Sequence, residues 1–122
     1  MATIKEDYVS FEIAKLLKEK GFNEPCVWSY DPNSASFAKS YHEPKNSELN
    51  VYEYSKPTLQ MAMKWLREVH NWNVVIRKSH IIYGYDIYIE SLVSYNVIEY
   101  GFEKTYEQAC EEAIKYCLEN LI

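Results

Sequence analysis

Apolar residues recur at helical spacing in three stretches of the chain. In "SFEIAKLLKEKGF" Phe11, Ala14 and Leu17, with Ile13 and Leu16 beside them, make one core-facing stripe. Ser10 stands where an N-cap belongs, and Gly21 where a left-handed residue closes a helix. Phe22 then follows in position to touch Leu17. "TLQMAMKWLREVH" repeats the pattern with Thr58 as cap: Leu59, Ala62, Met63, Leu66 and Val69 share a face, and Trp65 lies at its border. In "TYEQACEEAIKYCLENLI" Thr105 and Gln108 spell a capping box. Tyr106, Ala109, Cys110, Ala113, Cys117 and Leu121 fall on one side, which Ile114 and Leu118 widen; Glu107, Glu111, Glu112 and Glu119 take the opposite arc. Leu17, Leu66, Val69, Ala113 and Cys117 are the residues expected to be buried.

Between the helices the period changes to two. "CVWSY" (Cys26 to Tyr30) and "SFAKSY" (Ser36 to Tyr41) read as short strands joined by the turn chemistry of "DPNSA". His42 to Asn50 is polar and aperiodic, a surface loop, and "VYEY" adds an edge strand that ends before Pro57. After the second helix come "WNVVIRKS", "IYGYDIYIE" and "SYNVIEY". The middle one alternates, with Tyr83, Tyr85, Ile87 and Ile89 on one face and Gly84, Asp86, Tyr88 and Glu90 on the other. Short links imply an antiparallel meander. The expectation is a single α+β domain over residues 1–122: an antiparallel sheet of about five strands with three helices packed on one face.

Composition adds two points. An apolar content of 48% with 25% charged residues is that of a globular chain, and twelve Tyr against three Gly favour aromatic strand faces over a glycine-hinged site. The net charge of −5 argues against a polyanionic partner. No stretch is long and apolar enough to span a bilayer, so no membrane partner is expected, and "MATIKEDYVS" lacks the apolar core of an export signal. Three cysteines cannot all pair within one chain, and Cys110 and Cys117 lie about 10 Å apart along a helix, beyond disulfide reach. A reduced, cytoplasmic setting follows.

Candidate chemistry is sparse. On the last helix the thiols face the core and the carboxylates face water, so they are not set out to work together. There is no Cys-x-x-Cys, no His-x-x-x-His and no phosphate loop, and His42, His70 and His80 lie in a loop, at a helix end and in a hairpin. No catalytic, cofactor-binding or metal residue is assigned. From Thr58 onward the helix, three strands and helix match the element order of a double-stranded-RNA-binding domain, and the Ala-rich last helix resembles that domain's closing helix. That domain needs a lysine cluster there, whereas Lys104 stands alone between Glu103 and Glu107, in a segment of net charge −3. No nucleic acid partner is expected. The aromatic residues suggest a ligand or partner surface built from Trp72, Asp86, Tyr88 and Tyr100.

The segments "YVSFEIAKLLKEKGFNEPC", "PTLQMAMKWLREVHN" and "TYEQACEEAIKYCLENLI" together resemble a family of short, functionally uncharacterised proteins of about this length from Bacteroides-type gut bacteria. The resemblance implies a small bacterial cytoplasmic protein that travels with phages or other mobile elements. It brings no activity, ligand or site residue. The function expected from the residues is a non-enzymatic protein-interaction or adaptor module, acting on a protein partner or on itself. The alternative is a small enzyme or ligand-binding domain, its site where the polar sheet face meets the loop at His42 to Asn50, drawing on Asp86, Tyr88, His70 or His80.

Overall fold

The computed structural model describes residues 3–31, 36–39 (backbone only), 42–94 and 96–122. The element order is α1 (Phe11–Glu19), β1 (Trp28–Asp31), β2 (Ser36–Lys39), a 3-10 turn (Asn46–Glu48), β3 (Tyr54–Ser55), α2 (Leu59–His70), β4 (Trp72–Lys78), β5 (Tyr85–Ser91), β6 (Val97–Glu103) and α3 (Tyr106–Asn120). The class is α+β with all strand pairs antiparallel. In place of one sheet there are two of three strands, ordered β2-β1-β3 and β4-β5-β6. Alternation fixes which face of a strand is buried but not which strand it pairs with. Of the expected strand "VYEY" only Tyr54 pairs with β1; with Ser55 it forms β3, just before Lys56 and Pro57, and completes the first sheet. The sequence showed no boundary, yet the contacts divide the chain into two compact units, 1–59 and 60–122. The expected turn at Pro32 to Ala35 and the strand end at Ser40 and Tyr41 lie outside the described residues.

In the first unit α1 packs beside β3. The Ser10 hydroxyl accepts the Ile13 N–H at 3.3 Å, and Ile13, Ala14 and Leu17 are buried. Gly21 has φ +93°, the Gly21 N–H reaches the Lys18 carbonyl at 3.2 Å and the Phe22 N–H reaches the Leu17 carbonyl at 2.8 Å. This is the full Schellman closure, with Phe22 buried. Phe11, expected in the stripe, is instead 45% exposed and packs edge-on against Tyr30 and Tyr54. It belongs to the first turn, where the helix has no preceding turn to cover it. Lys56 caps the same aromatic group, its ammonium 4.9 Å from the Tyr30 ring centre and 5.1 Å from that of Tyr8.

The loop expected at the surface between His42 and Asn50 is anchored. Asn46 is buried: its Nδ2 donates to the Phe22 carbonyl at 2.8 Å and its Oδ1 accepts the Ser55 N–H at 2.8 Å. The Ser47 N–H donates to Asn23 Oδ1, and the Cys26 N–H to the Pro44 carbonyl.

In the second unit α3 lies across all three strands of the sheet. Its Ala109, Cys110, Ala113, Ile114, Cys117 and Leu118 are fully buried, together with Ile87 and Ile89 of β5. Thr105 accepts the Gln108 N–H at 3.1 Å, and its hydroxyl donates to the Gln108 side-chain oxygen. On α2, Leu59, Ala62, Met63, Trp65 and Leu66 are buried, but Val69, expected with them, is 53% exposed. Val69 keeps the right helical angle. It sits in the last turn, just before Asn71 reverses the chain at φ +61°, and a terminal turn has neighbours on one side only.

Candidate functional site

Cross-strand register decides which side chains can share a surface. Ile87, Ile89 and Ser91 are buried on the face that α3 covers, and they pair with Ile76, Val74 and Trp72 of β4. Trp72 therefore belongs to the α3 side of the sheet. Asp86, Tyr88 and Glu90 project to the other face, opposite Arg77, Val75 and Asn73. On β6 the register shifts: Ile87 pairs with Gly101 and Tyr88 with Glu99, so Tyr100 is the extra residue of a β-bulge. The Tyr100 ring packs 4.5 Å from that of Tyr116 on α3. The four expected residues are thus split. Asp86 and Tyr88 share the outer face; Trp72 and Tyr100 lie on the helix side.

Tyr88 does not offer an open stacking platform. The Arg77 guanidinium sits 5.1 Å from its ring centre, a cation–π contact that occupies the ring face. Arg77 also lies directly opposite Asp86, a register that sets opposite charges side by side. The histidines of the alternative reading are not gathered at this face either. His70 ends α2 with its ring edge-on to Trp65 at 4.7 Å and its Nε2 buried without a hydrogen-bond partner. His80 is exposed in the β4–β5 turn. The His42–Asn50 loop belongs to the first unit, where a cleft of about 320 Å³ is lined by Lys18, Gly21, Phe22, Asn23, Asn46 and Ser47. Three of its polar side chains are already engaged: Lys18 donates to the Asn50 and Glu53 carbonyls, and Asn46 and Asn23 hold backbone groups. Among the described residues no three metal-ligating side chains converge.

The cysteines are core residues. Burial pushes the Cys117 thiol up to about 12 and the Cys26 thiol up to about 11, away from thiolate chemistry at neutral pH. Both hold their protons more tightly folded than unfolded. Their contribution to stability is therefore full below the ordinary thiol value of 9.0 and is lost as pH climbs from there through about 11 and 12. Denaturant unfolding above pH 9 should show stability falling by about 1.4 kcal/mol per pH unit for Cys117. Cys117→Ala should flatten that slope; an equal decline in the variant would place the titration elsewhere.

Two features were not legible as functional in the sequence. One is the buried Asn46, written as an ordinary polar loop residue. The other is the β4–β5 tip, where Ile81 is 93% exposed, Ile82 57% and Tyr83 89%. Ile82 and Tyr83 look like the start of a strand, yet β5 begins only at Tyr85.

No protein-family model matches the chain, and no curated protein or solved structure matches it. No helix is long and apolar enough to cross a membrane.

Proposed function

We propose that the chain is a non-enzymatic protein-interaction or adaptor module that takes up an extended strand of a protein partner, or of a second copy of itself, along the β6 edge. The observation that carries this is the open edge. Among the described residues β6, seven residues long, pairs with β5 alone and presents Val97 at 61% and Tyr100 at 38% exposure. A free edge supplies backbone donors and acceptors in a row, and alternate side chains supply selectivity. The bulge at Tyr100 and the acids Glu99 and Glu103 interrupt this edge, which favours a matching basic strand over indiscriminate pairing.

The enzyme or ligand-binding reading draws less support, because Arg77 covers Tyr88 and the named histidines are apart. Nucleic acid is not part of the proposal: the segment from Thr58 on keeps a net charge of −3, with Lys104 alone at the start of α3. Membership of the gut-bacterial family, and with it a cytoplasmic setting, belongs to the same proposal. It rests on the three segments that fold as α1, α2 and α3.

The test is capture from native bacterial cytoplasm together with sedimentation of the purified chain. A specific partner or a self-associated species is expected, weakened about tenfold by Val97→Lys, which puts a charge on the edge without touching the core. A clean monomer that captures nothing specific sinks the reading, as does a partner indifferent to Val97→Lys.

A further inference from the structure

The absence of a spanning helix addresses only one way a protein meets a bilayer; a protruding loop is another. The turn from Ser79 to Gly84 is built to hold apolar side chains out in water. Its ends are joined by the Ser79 N–H donating to the Gly84 carbonyl at 3.0 Å. The Ser79 hydroxyl accepts the N–H groups of Ile81 and Ile82 at 3.3 and 3.4 Å. Gly84 lies tight against the Phe102 ring. An ordered turn of this kind keeps Ile81, Ile82 and Tyr83 exposed at a steady cost in hydration, since each side chain prefers an apolar surround.

The charge around the tip has one sign. From Arg77 to Gly84 the chain holds Arg77, Lys78 and His80, all exposed, and no carboxylate, within a protein of net charge −5. The nearest acids by register are Asp86, opposite Arg77, and Glu103, opposite Tyr85, which leaves Lys78 the cation least offset by its cross-strand neighbour. Apolar residues at the apex with a basic collar behind them are what an interfacial anchor requires. A convex tip of three side chains is also far smaller than the roughly 800 Å² that each partner gives to a stable protein interface. A bilayer sets no such minimum.

We infer that the β4–β5 tip docks reversibly on a lipid surface carrying anionic headgroups, with Ile81, Ile82 and Tyr83 entering the interface and Lys78 facing the headgroups. Because fewer apolar groups enter than with an acyl chain, the association constant lies below the roughly 10⁴ M⁻¹ that one myristoyl chain provides. The full chain is sedimented with sucrose-loaded vesicles of phosphatidylcholine, with and without a third of phosphatidylglycerol. The expected result is binding to the anionic vesicles only. Lys78→Ala should weaken it about fivefold, as one cation near the surface is worth about 1 kcal/mol. Ile81→Asp should weaken it about tenfold or more, with an unchanged unfolding midpoint because Ile81 makes almost no internal contact. A chain that stays in the supernatant with both vesicle types overturns the inference. So does binding that survives Ile81→Asp, or a tip that proves to capture a protein while ignoring lipid.

Discussion

Asn46→Ala is expected to destabilise the chain by about 2–4 kcal/mol, the effect of two buried backbone groups losing their partner at once. The Asn46 side chain is 4% exposed and spans two segments: it donates to the Phe22 carbonyl at the end of α1 and accepts from the Ser55 N–H in β3. Phe22 and Ser55 are themselves buried, so water cannot easily take over either role. Alanine keeps the backbone and removes both bonds, and each orphaned group costs about 1–3 kcal/mol. Ser47→Ala is the control. Ser47 is exposed and its backbone N–H, not its hydroxyl, makes the bond to Asn23, so the change should stay within about 0.5 kcal/mol. Urea unfolding with an unchanged slope reads both. If Asn46→Ala shifts the midpoint no more than Ser47→Ala does, the loop is not held by this side chain.

The contrast between Asn46 and Ser10 shows what the sequence could convey. Ser10 acts within its own turn, on the N–H three residues away, so its role follows from spacing alone. The same holds for Gly21 and Phe22 at the other end of α1, and for Thr105 and Gln108 at the start of α3. Asn46 acts on residues 24 and 9 positions distant, and nothing local separates it from Asn50 in the same loop. Helix faces were legible as angles but not as lengths. Phe11, Val69 and Tyr106 have the right angles, sit in terminal turns and are partly exposed. The strands carried their buried faces in the alternation around Ile87 and Ile89, but not their partners, and hence not the division into two sheets.

The candidate surface failed on cross-strand register. Tyr100 keeps the alternation set by Ile98, which pairs with Ile89 on the α3 side, and its ring packs on Tyr116; Trp72 pairs with Ser91 on that same side. Gly101 beside it hinted only at the β-bulge, since glycine in a strand often marks one. The exposed tip was hidden for a related reason. "HIIYG" has strand composition, and only the position of Gly84 shows that the strand has not yet begun.

Gly84→Ala should be among the most damaging single methyl additions in the second unit, costing about 2–4 kcal/mol. Two effects coincide there. The backbone has φ +143°, a conformation L-residues rarely adopt, and an added Cβ would run into the Phe102 ring and come within 2.7 Å of the Glu103 carbonyl oxygen. Phe102 is half-buried and could swing away, but the carbonyl belongs to the β5–β6 ladder and cannot yield without breaking pairing at Tyr85. The two other glycines separate the terms. Gly21→Ala meets no atom within 4 Å but still sits at φ +93°, so it should cost only the backbone strain, about 1 kcal/mol. Gly101→Ala meets nothing within 4 Å and has no positive φ, so it should be close to neutral or slightly favourable in a strand. Denaturant midpoints for the three variants should therefore fall in the order Gly101→Ala, Gly21→Ala, Gly84→Ala, from least to most destabilised. A Gly84→Ala chain as stable as Gly101→Ala would mean that the turn relaxes freely. The exposure of Ile81 and Tyr83 would then be an accident of a soft loop rather than a built feature.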